Sequence, residues 1–199
     1  MTPPIPDWSA LDATLAAHPC ADAREAEDVQ AVRAFLREHP ADAHLRSQLS
    51  GHLTGSAFVL DAARERVLLL HHGKLKRWLQ PGGHGEGELE PRLIALREVE
   101  EETGLAEREL TALAPSPSTP LPAAQAPLFD VDIHRIPARP NEPEHAHLDL
   151  RFAFLAREGA AARLSEESRA LDWVRLDAPP ADSDAAMLRA FAKLRALAR

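Results

Sequence analysis

Apolar residues recur at helical spacing near the start of the chain: Trp8, Leu11 and Leu15, then Val29, Val32 and Leu36, with the breaker HPCAD between the two sets. Two helices are expected over 8–39. From Gly51 the period shortens. HLTGSAFVL and RVLLLHH are β-rich runs around the turn-like DAARE, so a hairpin is expected there. A glycine-rich loop then leads into a helix expected over about 91–103, with Leu93, Leu96 and Val99 turned toward a sheet. Strands are expected in LTALA, PLFDVDIH, HLDLRFAFL and LDWVRL. A C-terminal helix should begin near Ser183, with Met187, Phe191 and Leu194 inward. Strands on either side of a central helix imply a mixed sheet covered by helices, an α/β fold. Residues 1–50 read as an N-terminal helical appendage and 51–199 as the main domain.

The segment HAHLDLRFAF alternates. Ala146, Leu148, Leu150, Phe152 and Phe154 fall on one face, and His145, His147, Asp149 and Arg151 on the other. LFDVDIH likewise sets Asp130, Asp132 and His134 on one face. If these strands pair across the proline-rich IPARPNEPEH, the polar faces merge into one patch. That patch is expected to be a pocket wall, with His147 and Arg151 as substrate contacts; exposed polar groups carry little stability, so replacing either should barely move the melting temperature. Four His and Asp groups could hold zinc, but their spacing matches no tight structural site. A second proline-rich stretch, APSPSTPLPAAQAP, is long for a loop and reads either as a substrate-facing flap or as a tolerated insertion.

Composition narrows the class. With 199 residues, 45% hydrophobic and 27% charged, the chain can bury a real core. Its net charge of -8 argues against general nucleic-acid or anionic-membrane binding. No run approaches the about 20 apolar residues of a membrane helix. The single Cys20 excludes an internal disulfide framework and suits a reducing compartment, so the cytosol is the expected location. The basic cluster HHGKLKRW is the local exception an anionic substrate needs, with Lys74 and Arg77 as candidate phosphate contacts.

The chemistry concentrates in GGHGEGELEPRLIALREVEEETGL, residues 82–105. Glu98, Glu101 and Glu102 stand at i, i+3 and i+4 and share one helical face. Three carboxylates so placed repel unless a cation joins them, and magnesium, which prefers oxygen ligands and keeps several waters, is the economical one. A run such as REVEEE is otherwise an ordinary solvated face. The glycines ahead of the helix, where backbone must approach a ligand closely, and Gly104 as its C-terminal cap favour a site.

These residues resemble the Nudix hydrolase family, whose signature is a glycine, five residues, a glutamate, seven residues, then REUxEExGU with U a bulky aliphatic. REVEEETGL satisfies every fixed position of the second half, and the signature glycine falls on Gly83. The first glutamate is replaced by Leu89, flanked by Glu88 and Glu90. The resemblance implies an α/β/α sandwich over roughly 51–199. It implies Mg2+ or Mn2+ held by Glu98, Glu101, Glu102 and a backbone carbonyl of Gly82 or Gly83, with Arg97 orienting the site and Glu98 as the first choice of general base. It further implies hydrolysis of the diphosphate linkage in a nucleoside diphosphate joined to another moiety. In the family the displaced glutamate chiefly holds the motif arginine. Leu89 is therefore expected to act as a hydrophobic staple on Ile94 ahead of the Pro91 helix start, with Glu88, Glu90 or another acid meeting Arg97 instead.

Two other functions compete. A Nudix-like module that binds a nucleotide without cleaving it is disfavoured by the intact carboxylate set. Prenyl diphosphate isomerisation would need an active-site cysteine, and Cys20 lies in the appendage. Nothing in the sequence selects among diphosphate substrates. The N-terminal helices are candidates for homodimer formation or for covering the cleft.

Overall fold

The computed structural model describes residues 5–73, 76–114, 121–138, 140, 143–164 and 168–198. Two helices, α1 (Ser9–Ala17) and α2 (Ala23–Glu38), open the chain. Asp22 starts α2 by accepting a hydrogen bond from the Glu25 amide. The sheet strands are β1 (Gly51–Leu60), β2 (Arg66–His72), β3 (Trp78–Leu79), β4 (Gly82–His84), β5 (Leu110–Ala112), β6 (Leu121–Pro122), β7 (Leu128–Ile136), β8 (His145–Ala156) and β9 (Ser168–Arg175). Helix α3 (Pro91–Thr103) follows β4, and α4 (Ala185–Leu197) ends the fold with Asp184 as its cap.

All these strands join one mixed sheet in the order β3-β2-β1-β8-β5-β6, with β4 added to β1, β7 to β8 and β9 to β2. Strands β1 and β8 run parallel along their length, from Gly51 opposite Ala146 to Leu60 opposite Leu155; the other pairings are antiparallel. Strand β1 therefore has both neighbours and both faces covered, and all ten of its residues are buried.

The two faces carry separate cores. On one, Leu53, Ala57, Val59, Leu148, Leu150 and Phe154 pack with Ala95, Leu96 and Val99 of α3, and the same cluster takes in Leu15 of α1 and Val29, Val32 and Leu36 of α2. On the other, Phe58, Leu60, Val67 and Leu69 meet Met187, Ala190, Phe191 and Leu194 of α4. This is the expected α/β/α sandwich. Leu93, expected to face the sheet, is instead 40% exposed; the buried stripe of α3 is Pro91, Ile94, Ala95, Leu96, Val99 and Thr103, one position further round the helix. Strands β3, β4 and β6 were not foreseen, because two or three residues show no periodicity. Lys74 and residues 115–120 of the second proline-rich stretch lie outside the described residues. No described helix is long and apolar enough to cross a membrane.

Candidate active site

Helix α3 reaches the sheet because Gly55 has no side chain. A Cβ there would stand 2.2 Å from the Pro91 carbonyl oxygen and 2.9 Å from the Ile94 Cβ. Gly55 also pairs with Gly83 across β1 and β4, so the glycine loop and the carboxylate helix are set from the same point of β1. At its far end α3 closes on Gly104, whose left-handed φ of 70° and amide bond to the Glu100 carbonyl make the expected glycine cap.

The three glutamates of one face meet different surroundings. Glu98 lies over Gly83 so closely that a Cβ on that glycine would fall 2.6 Å from the carboxylate carbon. Its side chain is 13% exposed. Burial, reinforced by the Glu101 charge and opposed by Arg97, pushes the Glu98 carboxyl up to about 7. Glu102 accepts the Gly82 amide at 2.9 Å and so ties the helix to β4. Glu101 projects into solvent, 56% exposed.

Arg97 binds this set together. Its guanidinium contacts Glu98 at 2.8 Å and Glu101 at 2.8 Å, and donates to the His84 carbonyl. The expected carboxylate contact is thus drawn from other acids than Glu88 and Glu90, which are engaged elsewhere. Glu88 accepts from the Leu89 and Glu90 amides and caps the turn into α3, and Glu90 faces Arg92 at 3.8 Å. The staple expectation fails. Leu89 is 40% exposed, whereas Ile94 is 1% exposed and is turned inward against Gly55 and Gly85.

The other sequence candidates lie apart. Arg77 donates to the Asp182 carbonyl and to the Asp184 carboxylate, holding the start of α4. Arg151 is on no exposed wall: it is 6% exposed and contacts Asp149 at 3.0 Å, Asp130 at 3.3 Å and Asp132 at 2.8 Å. Burial alone would lower its pKa, but the three carboxylates hold it above the ordinary arginine value. The β7 and β8 polar faces do merge, with Asp132 opposite Asp149 inside the protein and His134, which is exposed, opposite the half-buried His147. Asp149 also accepts from Thr54 and Ser56, and Gln80 donates to Ser56, so this buried network reaches the residue before the Pro81-Gly82 turn. His147 belongs to a histidine cluster with His52 and His84. The sequence signal for the latter two is His84 inside the glycine loop GGHGEG and His52 at the start of β1. Two surface clefts of about 610 and 590 Å3 are lined by none of the three glutamates.

The donor set fits a hard divalent cation: three carboxyl groups share one guanidinium on an all-oxygen face with an excess of negative charge, over a glycine whose missing Cβ leaves room. The arrangement defines an acidic, glycine-backed helix face on an α/β/α sandwich. The NUDIX domain family model matches residues 52–194, and the chain belongs to that family. It is 30% identical over 124 residues to the "Probable DHNTP pyrophosphohydrolase" of Lactococcus lactis subsp. cremoris, an alignment covering 61% of this chain and 65% of that relative. The fold is similar to that of the E. coli dihydroneopterin triphosphate pyrophosphohydrolase (TM-score 0.53, 15% identity, 72% of this chain and 95% of that one). It is also similar to a C. elegans Ap4A hydrolase (TM-score 0.52, 18% identity, 72% and 95%).

Proposed function

We propose that the protein is a metal-dependent pyrophosphohydrolase that cleaves the diphosphate linkage of a nucleoside diphosphate joined to another moiety. The observation that carries this is the Glu98, Glu101 and Glu102 face set against Gly82 and Gly83. Glu98, Glu101, Glu102 and a carbonyl of the Gly82-Gly83 segment would hold Mg2+ or Mn2+. When bound, the cation neutralises phosphate charge and lowers the pKa of a coordinated water. Glu98, held near neutrality by its burial, is suited to take that water's proton. Arg97 keeps Glu98 and Glu101 in register with the loop through the His84 carbonyl. Glu102 fixes the loop by its bond to the Gly82 amide. Leu89 leaves this chemistry intact, because Arg97 finds its acids within the helix itself. The 30% identical Lactococcus relative, named as a pyrophosphohydrolase, supports the same reaction class. A reducing, cytoplasmic setting suits the lone Cys20.

The test is a screen of nucleoside diphosphate derivatives, dinucleoside polyphosphates and dihydroneopterin triphosphate with Mg2+ or Mn2+, following phosphate or nucleotide release. Turnover that chelator abolishes is the expected result. Saturable binding of such a compound without turnover would favour a non-catalytic binding module.

A further inference from the structure

Five histidines from four separate segments converge at one end of the sheet. His52 opens β1, His84 ends β4, His134 lies on β7, and His145 and His147 open β8. The His147 ring centroid is 5.0 Å from that of His52, 4.9 Å from His84, 5.3 Å from His134 and 5.2 Å from His145. The parallel β1 and β8 register sets His52 directly beside His147, and the β7 and β8 register sets His134 on its other side.

Three of these rings are poised around a common point. One nitrogen from each of His52, His84 and His147 lies within 4.8 Å of the others. The Nε2 atoms of His84 and His147 are 3.2 Å apart. Two nitrogens bound tetrahedrally to one zinc ion at about 2.0–2.1 Å stand about 3.3–3.4 Å apart, so these two need hardly move.

A second observation is independent of that spacing. His52 is 1% exposed; the Gln48 backbone lies close enough to act on its ring, but neither ring nitrogen has a partner at full hydrogen-bond geometry, and the one facing the other imidazoles is unmet. A neutral imidazole carries one donor and one acceptor, and leaving either buried and unmet is unfavourable. An unmet buried lone pair aimed among imidazoles is what a cation would satisfy.

We propose that His52, His84 and His147 form a second metal site, selective for a borderline transition ion of the zinc type and distinct from the oxygen site on α3. Nitrogen ligands exclude magnesium and favour zinc. Both His147 and His52 are held below the ordinary histidine pKa by burial and by the neighbouring imidazoles. Of the two flanking rings, His134, the candidate fourth ligand, has the outer contact typical of metal-binding histidines. His145 has its Nδ1 on the Pro143 carbonyl at 2.9 Å, and His134 has its Nδ1 3.2 Å from Asp132. His134 or water completes the fourth position. Because the ligands come from β1, β4 and β8, the ion clips the three-residue β4 to the two central strands. Arg97 donates to the carbonyl of the same His84, so the clip steadies the carboxylate face from behind.

The experiment uses the metal-stripped full chain in excess Mg2+, which occupies oxygen sites, titrated with Co2+ as a visible-absorbing stand-in for zinc. The expected result is a saturable tetrahedral cobalt spectrum at one equivalent, displaced by zinc, with zinc raising the melting temperature. His84→Ala and His147→Ala should each weaken binding at least tenfold, and Glu101→Gln should change it less than twofold. Apo melting curves of each variant establish that it folds; His84 is only half-buried and serves if His147→Ala does not. Failure to saturate, wild-type affinity in the folded histidine variants, or loss of the signal in Glu101→Gln would overturn the proposal. None of these readouts depends on hydrolysis.

Discussion

Replacing Arg151 by alanine would leave Asp130, Asp132 and Asp149 facing one another without their shared cation. Breaking a buried ion pair from one side costs about 3–5 kcal/mol, and in a chain of this size each kcal/mol is worth roughly 2–4 °C. Arg151→Ala should therefore lower the melting temperature by roughly 10 °C, where an exposed pocket wall would have lost almost nothing; calorimetry measures it. The alternation of β8 was legible, but its Asp149 and Arg151 were not legible as interior, since only the pairing with β7 and the hydrogen bonds from β1 remove them from water. Glu98 gives a second prediction. Its carboxyl is raised from 4.5 to about 7, so in the metal-free protein its protonated form favours the folded state below the unfolded value, and that contribution is lost as pH rises through about 7. In chelator, the parent should lose roughly a few degrees more than Glu98→Gln between about pH 5 and pH 8. Parallel melting curves for the two would place Glu98 in water.

Helix α3 was readable almost to the residue, because Pro91 fixes its first turn and Gly104 its last. Its rotation was less so. Leu93 and Ile94 are equally apolar, and which one faces the sheet is decided by the gap that Gly55 leaves. That gap is testable. Gly55→Ala would force the helix outward, at a cost of about 1–3 kcal/mol for an overpacked contact, and would carry Glu98 and Glu102 away from β4. The expected outcome is a fall in kcat at least tenfold larger than any change in KM, with only a modest loss of stability. An unaltered kcat would mean that helix placement does not govern the site. The short β4 was invisible to periodicity, yet it receives the Glu102 bond and supplies the His84 carbonyl to Arg97.

Across the whole molecule, the N-terminal helices are bound to the sandwich by more than apolar contact. Glu25 of α2 is fully buried and meets His18 and Lys193, while Lys193 and Arg189 of α4 also reach Asp130 of β7. No sequence period signals such a link, since its members come from three distant segments. The motif supplied the chemistry; these contacts hold the motif's frame. The central claim, that the α3 carboxylates drive metal-dependent hydrolysis, is tested most directly by turnover of the best screened diphosphate in the parent and in Glu102→Gln. Glutamine keeps an oxygen for the Gly82 amide but removes the charge, so the fold should survive, with melting temperatures within a few degrees. The account predicts that kcat at saturating Mg2+ falls by about a hundredfold or more, the scale of losing one preorganised electrostatic group, and that chelator removes the parent's activity. Equal turnover in both proteins, or activity that persists in chelator, would contradict it.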